Sequence, residues 1–241
     1  MKKSLLENIN QNLKLFLHPI YDAKTMQVMS YEVLSRLPVE NNLLPPPAFM
    51  DSVCLNKHFH LARAVLKRVE ELLLVVDESI SLHVNFNPED LEDLYVFNLI
   101  KKLKKRIVVE ITEESGNLKD KLHLLKLLKE AGVKIALDDF GDQNSTYNYI
   151  LDRKSKLNLF DIVKIDKNLV AGIAQDKDDL DFLRTMVYLL KKNSSQKIVL
   201  EYIENEEIKD LAIKMGCHGL QGFFFGKPFD SEKIVVKKRA S

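Results

Sequence analysis

Residues 107–137, IVVEITEESGNLKDKLHLLKLLKEAGVKIAL, decide the fold class. Ile107 to Ile111 is a short apolar run rich in β-branched residues and reads as a strand. From Leu118 to Ala131 the apolar residues recur at helical spacing, and Gly132 stands where a helix C-cap belongs. Lys134 to Leu137 then opens a second strand. Strand, helix and strand within one short stretch predict two parallel strands joined by a helical crossover.

The same alternation extends in both directions. Downstream, Ile162 to Ile165, Ile198 to Ile203 and Gly219 to Phe224 read as strands. Leu180 to Lys191 and Glu206 to Met215 read as the helices between them, with Gly216 as a C-cap. Upstream lie a strand at Leu82 to Phe86 and a helical stretch from about Phe59 to Leu74. At the start, Leu13 to Ile20 and Val28 to Leu34 are joined by the polar link Asp22 to Thr25, too short for anything but a hairpin. Eight strands close a barrel. The expected fold is a single α/β domain over residues 1–241, a (β/α)8 TIM-like barrel in which the N-terminal hairpin makes one strand antiparallel. A doubly wound open sheet is the alternative that the alternation leaves open.

Composition narrows the function. Across 241 residues, 36 Lys and Arg face 35 Asp and Glu, a formal charge of +1. No basic excess offers a track for extended nucleic acid, so a phosphate ligand needs a local site. The two cysteines, Cys54 and Cys217, stand far apart without a C-x-x-C, which speaks against a zinc knuckle and a redox pair and fits a reducing compartment. Lys2 and Lys3 are followed by no long apolar run, and no stretch approaches a membrane span. A cytoplasmic protein with no membrane partner is expected.

Polar residues recur at the C-terminal ends of the strands: Glu32, Asn85, Glu110 with Glu113, Asp138 with Asp139, Lys164 with Asp166, Glu201 with Glu204, and Gln221. Each alone has an ordinary explanation. Glu32 suits a surface salt bridge, Asn85 a turn, Asp138 a helix cap, and Lys164 a stem lying along the rim. Their recurrence at successive strand ends is what those readings leave unexplained. In a barrel these ends share one face, where barrel active sites are built. So many carboxylates in a partly dry cleft need cations. Oxygen donors suit Mg2+ or Mn2+, and a lysine among them suits a phosphate oxygen or an attacking water. Metal-assisted phosphoryl chemistry fits this set.

These residues resemble the EAL-domain family of cyclic-di-GMP phosphodiesterases, over about Leu13 to Pro228. Glu32-Val33-Leu34 is similar to the naming tripeptide, with Val for Ala, and Arg36 follows it. Val84-Asn85-Phe86, Glu110-Ile111-Thr112-Glu113, Asp138-Asp139-Phe140-Gly141, Lys164-Ile165-Asp166, the Glu201/Glu204 pair and Gln221-Gly222 with Pro228 match the later motifs in order. Several separated motifs in order are far more specific than any one of them.

The resemblance implies a stand-alone EAL domain that opens cyclic-di-GMP to linear pGpG, commonly as a homodimer, with two Mg2+ or Mn2+ ions per site. Glu32, Asn85, Glu110 and Asp138 would ligate one metal. Asp138 would bridge to a second, with Asp139 and Glu204 nearby, and Gln221 would help to position metal-bound water. Lys164 would orient the nucleophilic water and Glu201 would be the general base. Arg36 and Asp166 would contact the dinucleotide, and Glu113 would brace the loop after Asp139. Two features depart from the family pattern: the loop Asp142-Gln143-Asn144-Ser145-Thr146, with Gln at a Gly position, and Tyr202 beside Glu201. The alternative is a weak or inactive domain that binds cyclic-di-GMP or a protein partner as a sensor.

Overall fold

The structure is a computed structural model. It describes residues 2–50, 58–112, 118–141, 159–171, 177–193 and 196–234. Glu113, Cys54 and the loop 142–146 lie outside them.

Ten strands occur among the described residues: β1 (Lys14–Asp22), β2 (Val28–Val39), β3 (Asn42–Leu44), β4 (Ser81–Asn85), β5 (Ile107–Thr112), β6 (Lys134–Phe140), β7 (Ile162–Ile165), β8 (Lys197–Leu200), β9 (Gly219–Leu220) and β10 (Phe229–Asp230). The ring runs β1, β2, β4, β5, β6, β7, β8, β9 and back to β1, so the barrel is closed and the open-sheet alternative falls away. β1 is antiparallel to both neighbours, Leu17 pairing with Val33 of β2 and Tyr21 with Leu220 of β9. Every pairing from β2 and β4 round to β8 and β9 is parallel. β3 and β10 pair outside the ring, with β2 and β1 respectively.

Parallel strands need crossovers, and helices supply them: His58–Leu72 before β4, Leu94–Leu103 before β5, Leu118–Glu130 before β6, Lys177–Asn193 before β8 and Glu206–Met215 before β9. Gly132 (φ 84°) and Gly216 (φ 76°) take the left-handed C-cap conformation their positions predict. The helix Leu94–Leu103 is an element that the apolar-run reading passes over. Its start is marked by Asp93, whose side chain accepts from the Val96 N–H. A helix at Lys2–Asn12 is likewise additional.

Two apolar layers divide the core. Val109, Ile111, Leu137, Val163, Ile165 and Leu200 belong to the large cluster shared with the helices. Ile20, Val108, Ala136, Ile162 and Val199 form a separate small cluster, contributed by the opposite side of the strands and plugging the barrel. Alternation of side chains along a strand makes this division. It also places the site, because the residue two positions beyond each plug residue faces the same interior, one layer nearer the rim.

Two strands are shorter than their apolar runs. β8 ends at Leu200 rather than Ile203, and β9 at Leu220 rather than Phe224. Tyr202 sits at φ 57°, which breaks the pleat after Glu201. Ile203 then turns back to donate to the Gln221 carbonyl and accept from Phe224 N–H.

Candidate active site

Counting two residues from the plug gives Glu110 from Val108, Asp138 from Ala136, Lys164 from Ile162 and Glu201 from Val199. β1 runs the other way, so Ile20 leads back to His18. The same step from Ser30 gives Glu32, from His83, which is level with Val108, gives Asn85, and from Gly219 gives Gln221. One layer of the barrel interior therefore carries the chemistry, above an apolar floor.

Lys164 is 1% exposed and stands at the centre. Its Nζ lies 2.8 Å from Asp138 Oδ1, 2.8 Å from Glu201 Oε1, 3.2 Å from Glu110 Oε1 and 3.9 Å from Glu32 Oε2. Burial alone would favour the neutral amine, but the carboxylates prevail and hold the ammonium well above its ordinary 10.5. Burial pushes Glu201 up to about 7, against the pull of Lys164. It also raises Asp138 well above the usual range, with the neighbouring carboxylates adding to it. Glu110 resists burial because Lys164 and His83 hold its charge, and it falls to about 2.

The carboxylates form two groups that share Asp138. Oxygens of Glu32, Glu110 and Asp138 lie within 4.8 Å of one another, and so do oxygens of Asp138, Asp139 and Glu201. Consecutive residues of a regular strand cannot face one cluster. Here the β6–β7 register shifts between Leu137 and Phe140, and Asp139 takes φ 53°. That bulge turns both aspartates to the same side, a common device beside active sites.

Around this core, Asn85 Nδ2 donates to Glu32 Oε1 at 3.4 Å and Gln221 Nε2 to Glu32 Oε2 at 2.6 Å. His18 Nδ1 accepts from the same Gln221 amide at 2.8 Å, so the imidazole helps fix which way the amide points. His83 Nδ1 lies 2.7 Å from Glu110 Oε1. Neither histidine stands out in sequence, where a lone His in an apolar strand reads as a core residue. The only available signal is their two-residue offset from Ile20 and from Asn85.

The remaining predicted residues are less central. Arg36 lies on β2 four residues beyond Glu32, about 13 Å along the strand, and donates to the Ser35 carbonyl. Asp166 caps the short helix Lys167–Val170 by accepting from Asn168 N–H at 2.7 Å. Glu204 is exposed and belongs to neither carboxylate group. Glu201 stands in the second group instead.

Gly222 ties the segment after β9 to the strand end that carries Glu201. A Cβ there would come within 2.3 Å of both the N and O of Ile203. Backbone cannot yield as a side-chain tip can. Gly222→Ala should destabilise the chain by about 3 kcal/mol, a fall of about 10 °C in Tm at this chain length. Circular dichroism melting checks this, and an unchanged Tm would show that the segment can move aside.

A family model described as the EAL domain matches residues 2–228. The chain belongs to the EAL domain family. Among curated relatives, cyclic di-GMP phosphodiesterase PdeL of Escherichia coli (strain K12) is 26% identical, covering 94% of this chain and 65% of PdeL. Cyclic di-GMP phosphodiesterase TpdA of Vibrio parahaemolyticus is 28% identical, covering 87% of this chain and 36% of TpdA. This EAL domain thus spans under two thirds of either relative's length. Among solved structures, an EAL domain protein from Listeria monocytogenes EGD-e has a TM-score of 0.81 at 25% identity, covering 100% of this chain and 98% of that one. The PaMucR phosphodiesterase in complex with c-di-GMP has a TM-score of 0.76 at 23% identity, covering 96% of this chain and 99% of that one.

The donor set of this EAL domain fits divalent cations. Glu110 Oε2 and Gln221 Oε1 are buried and have no hydrogen-bond partner, which is costly unless something else satisfies them. Carboxylate and amide oxygens are hard ligands, suited to Mg2+ or Mn2+. No helix among the described residues is long and apolar enough to cross a membrane.

Proposed function

We propose that this chain hydrolyses one phosphodiester bond of cyclic-di-GMP, giving linear pGpG, with two divalent ions, Mg2+ or Mn2+, at the rim of its barrel. The observation that carries this reading is the pair of carboxylate groups sharing Asp138 around Lys164. Glu32, Glu110, Asp138, Asn85 and Gln221 would hold one ion, and Asp138, Asp139 and Glu201, whose oxygens lie within 4.8 Å of one another, would hold a second. Ions bound there supply charge neutralisation at phosphorus and acidify a water.

The chain's own groups supply the rest. Lys164 offers an ammonium donor that orients water or a phosphate oxygen. Glu201, whose Oε1 lies 2.8 Å from Lys164 Nζ, would be the proton acceptor. The water loses its proton, its oxygen joins phosphorus, and the departing ribose oxygen takes up a proton. Arg36, further out on β2, would contact a phosphate away from the ions. A net charge of +1 gives long nucleic acid no further hold.

The test is turnover of cyclic-di-GMP with Mg2+ or Mn2+, with EDTA, and against a linear oligonucleotide. We expect pGpG as product, loss of turnover in EDTA, and little cleavage of the oligonucleotide. Equal cleavage of the oligonucleotide would make the chain a general nuclease. Tight binding of cyclic-di-GMP without cleavage would make it a sensor.

A further inference from the structure

Building on the metal-centre reading above, we infer that His83 is a positioning residue: its Nδ1–H holds Oε1 of Glu110 and so leaves Oε2 as the oxygen offered to an ion. His83 is 1% exposed, on β4 inside the barrel, level with Glu32 and Val108 on the neighbouring strands. Its Nδ1 lies 2.7 Å from Glu110 Oε1. Lys164 Nζ approaches that same oxygen at 3.2 Å. The other oxygen, Oε2, is buried and has no hydrogen-bond partner.

Two donors on one oxygen and none on the other is an unequal division. Glu110 is fully buried, and each of its oxygens has a desolvation cost to recover. A site evolved only for packing would share the donors. A site that expects a cation keeps one oxygen free and pins the carboxylate by the other. A carboxylate beside an ammonium is ionised and can only accept, so His83 carries its proton on Nδ1.

If His83 merely filled space, an apolar side chain of similar bulk would leave cation affinity unchanged. A positioning role needs a donor at that point, and losing such a donor behind a metal ligand costs about 10–100-fold in metal affinity. The experiment is calorimetric titration of the full chain with Mn2+ for the wild type, His83→Leu and His83→Gln. It is joined to 15N NMR of the wild-type imidazole in the metal-free chain. We expect the proton on Nδ1, His83→Leu weakened about 10–100-fold, and His83→Gln, which restores an N–H donor, nearer to wild type.

Wild-type affinity in a folded His83→Leu would overturn the inference and leave the metal reading standing. A wild-type chain that binds no Mn2+ would overturn both. If His83→Leu does not fold, the tautomer decides: a proton on Nε2, with Nδ1 bare toward Glu110, overturns the inference.

Discussion

Replacing Lys164 by methionine should destabilise the metal-free chain by about 3–5 kcal/mol, the scale for breaking a buried ion pair from one side. Methionine matches the length and bulk of lysine, so packing survives while the charge goes. Glu32, Glu110, Asp138 and Glu201 then share a buried space without the ammonium that lies within 4 Å of all four. Mn2+ should restore stability, and by more than it adds to the wild type, because ions bound there replace the missing charge. Lys164 has its folded pKa raised above 10.5. Its contribution is therefore complete below that pH and is lost only as pH rises through the folded value. Hydrolysis should fall at least about a hundredfold even with Mn2+. Urea unfolding in EDTA and in Mn2+ measures the first effect. A metal-free variant as stable as wild type would show that the carboxylates are satisfied without Lys164.

Glu201→Gln should lower turnover of cyclic-di-GMP by about a hundredfold or more while ligand binding survives. Glutamine preserves the shape at the end of β8 and still has an oxygen to accept from Lys164, 2.8 Å away in the wild type. It cannot take up a proton. The geometry also places Glu201 in the second carboxylate group, with Asp138 and Asp139, so a second role as ligand makes a separate prediction. A ligand lost to glutamine weakens Mn2+ binding along with turnover, whereas a base lost to glutamine leaves Mn2+ binding close to wild type. Turnover, cyclic-di-GMP affinity and Mn2+ affinity on one preparation separate these. Turnover near wild type would remove Glu201 from the chemistry.

Why so much of the site is legible in the sequence follows from period two. Val108 and Glu110, Ala136 and Asp138, Ile162 and Lys164, Val199 and Glu201 are each an apolar floor residue followed by a polar rim residue. A strand repeats its facing every second position, so the barrel and the rim can be read from the same letters. What escapes is what departs from that period. The Asp138–Asp139 bulge puts neighbours on one side, and nothing in two adjacent aspartates announces it. Tyr202 at φ 57° ends β8 where the apolar run continues, because a tyrosine is not a residue expected in that conformation. His18 and His83 escape for another reason: an imidazole between apolar residues looks the same whether it fills space or holds a carboxylate. The helix Leu94–Leu103 escapes because Leu94-Tyr95-Val96-Phe97 reads as an apolar run before it reads as a periodic one.

The reversed strand β1 has a consequence for how the molecule comes into being. It pairs early with its sequence neighbour β2, but its other edge waits for Leu220 and for Phe229 and Asp230, almost the whole chain away. Contacts of such span form slowly. Until they form, the hairpin presents an open edge able to recruit other strands. His18 and Gln221 meet only when that seam closes. A chain lacking β9 and β10 would thus be an adhesive fragment without an assembled centre, and it is these two short strands that turn an aggregation hazard into a sealed ring.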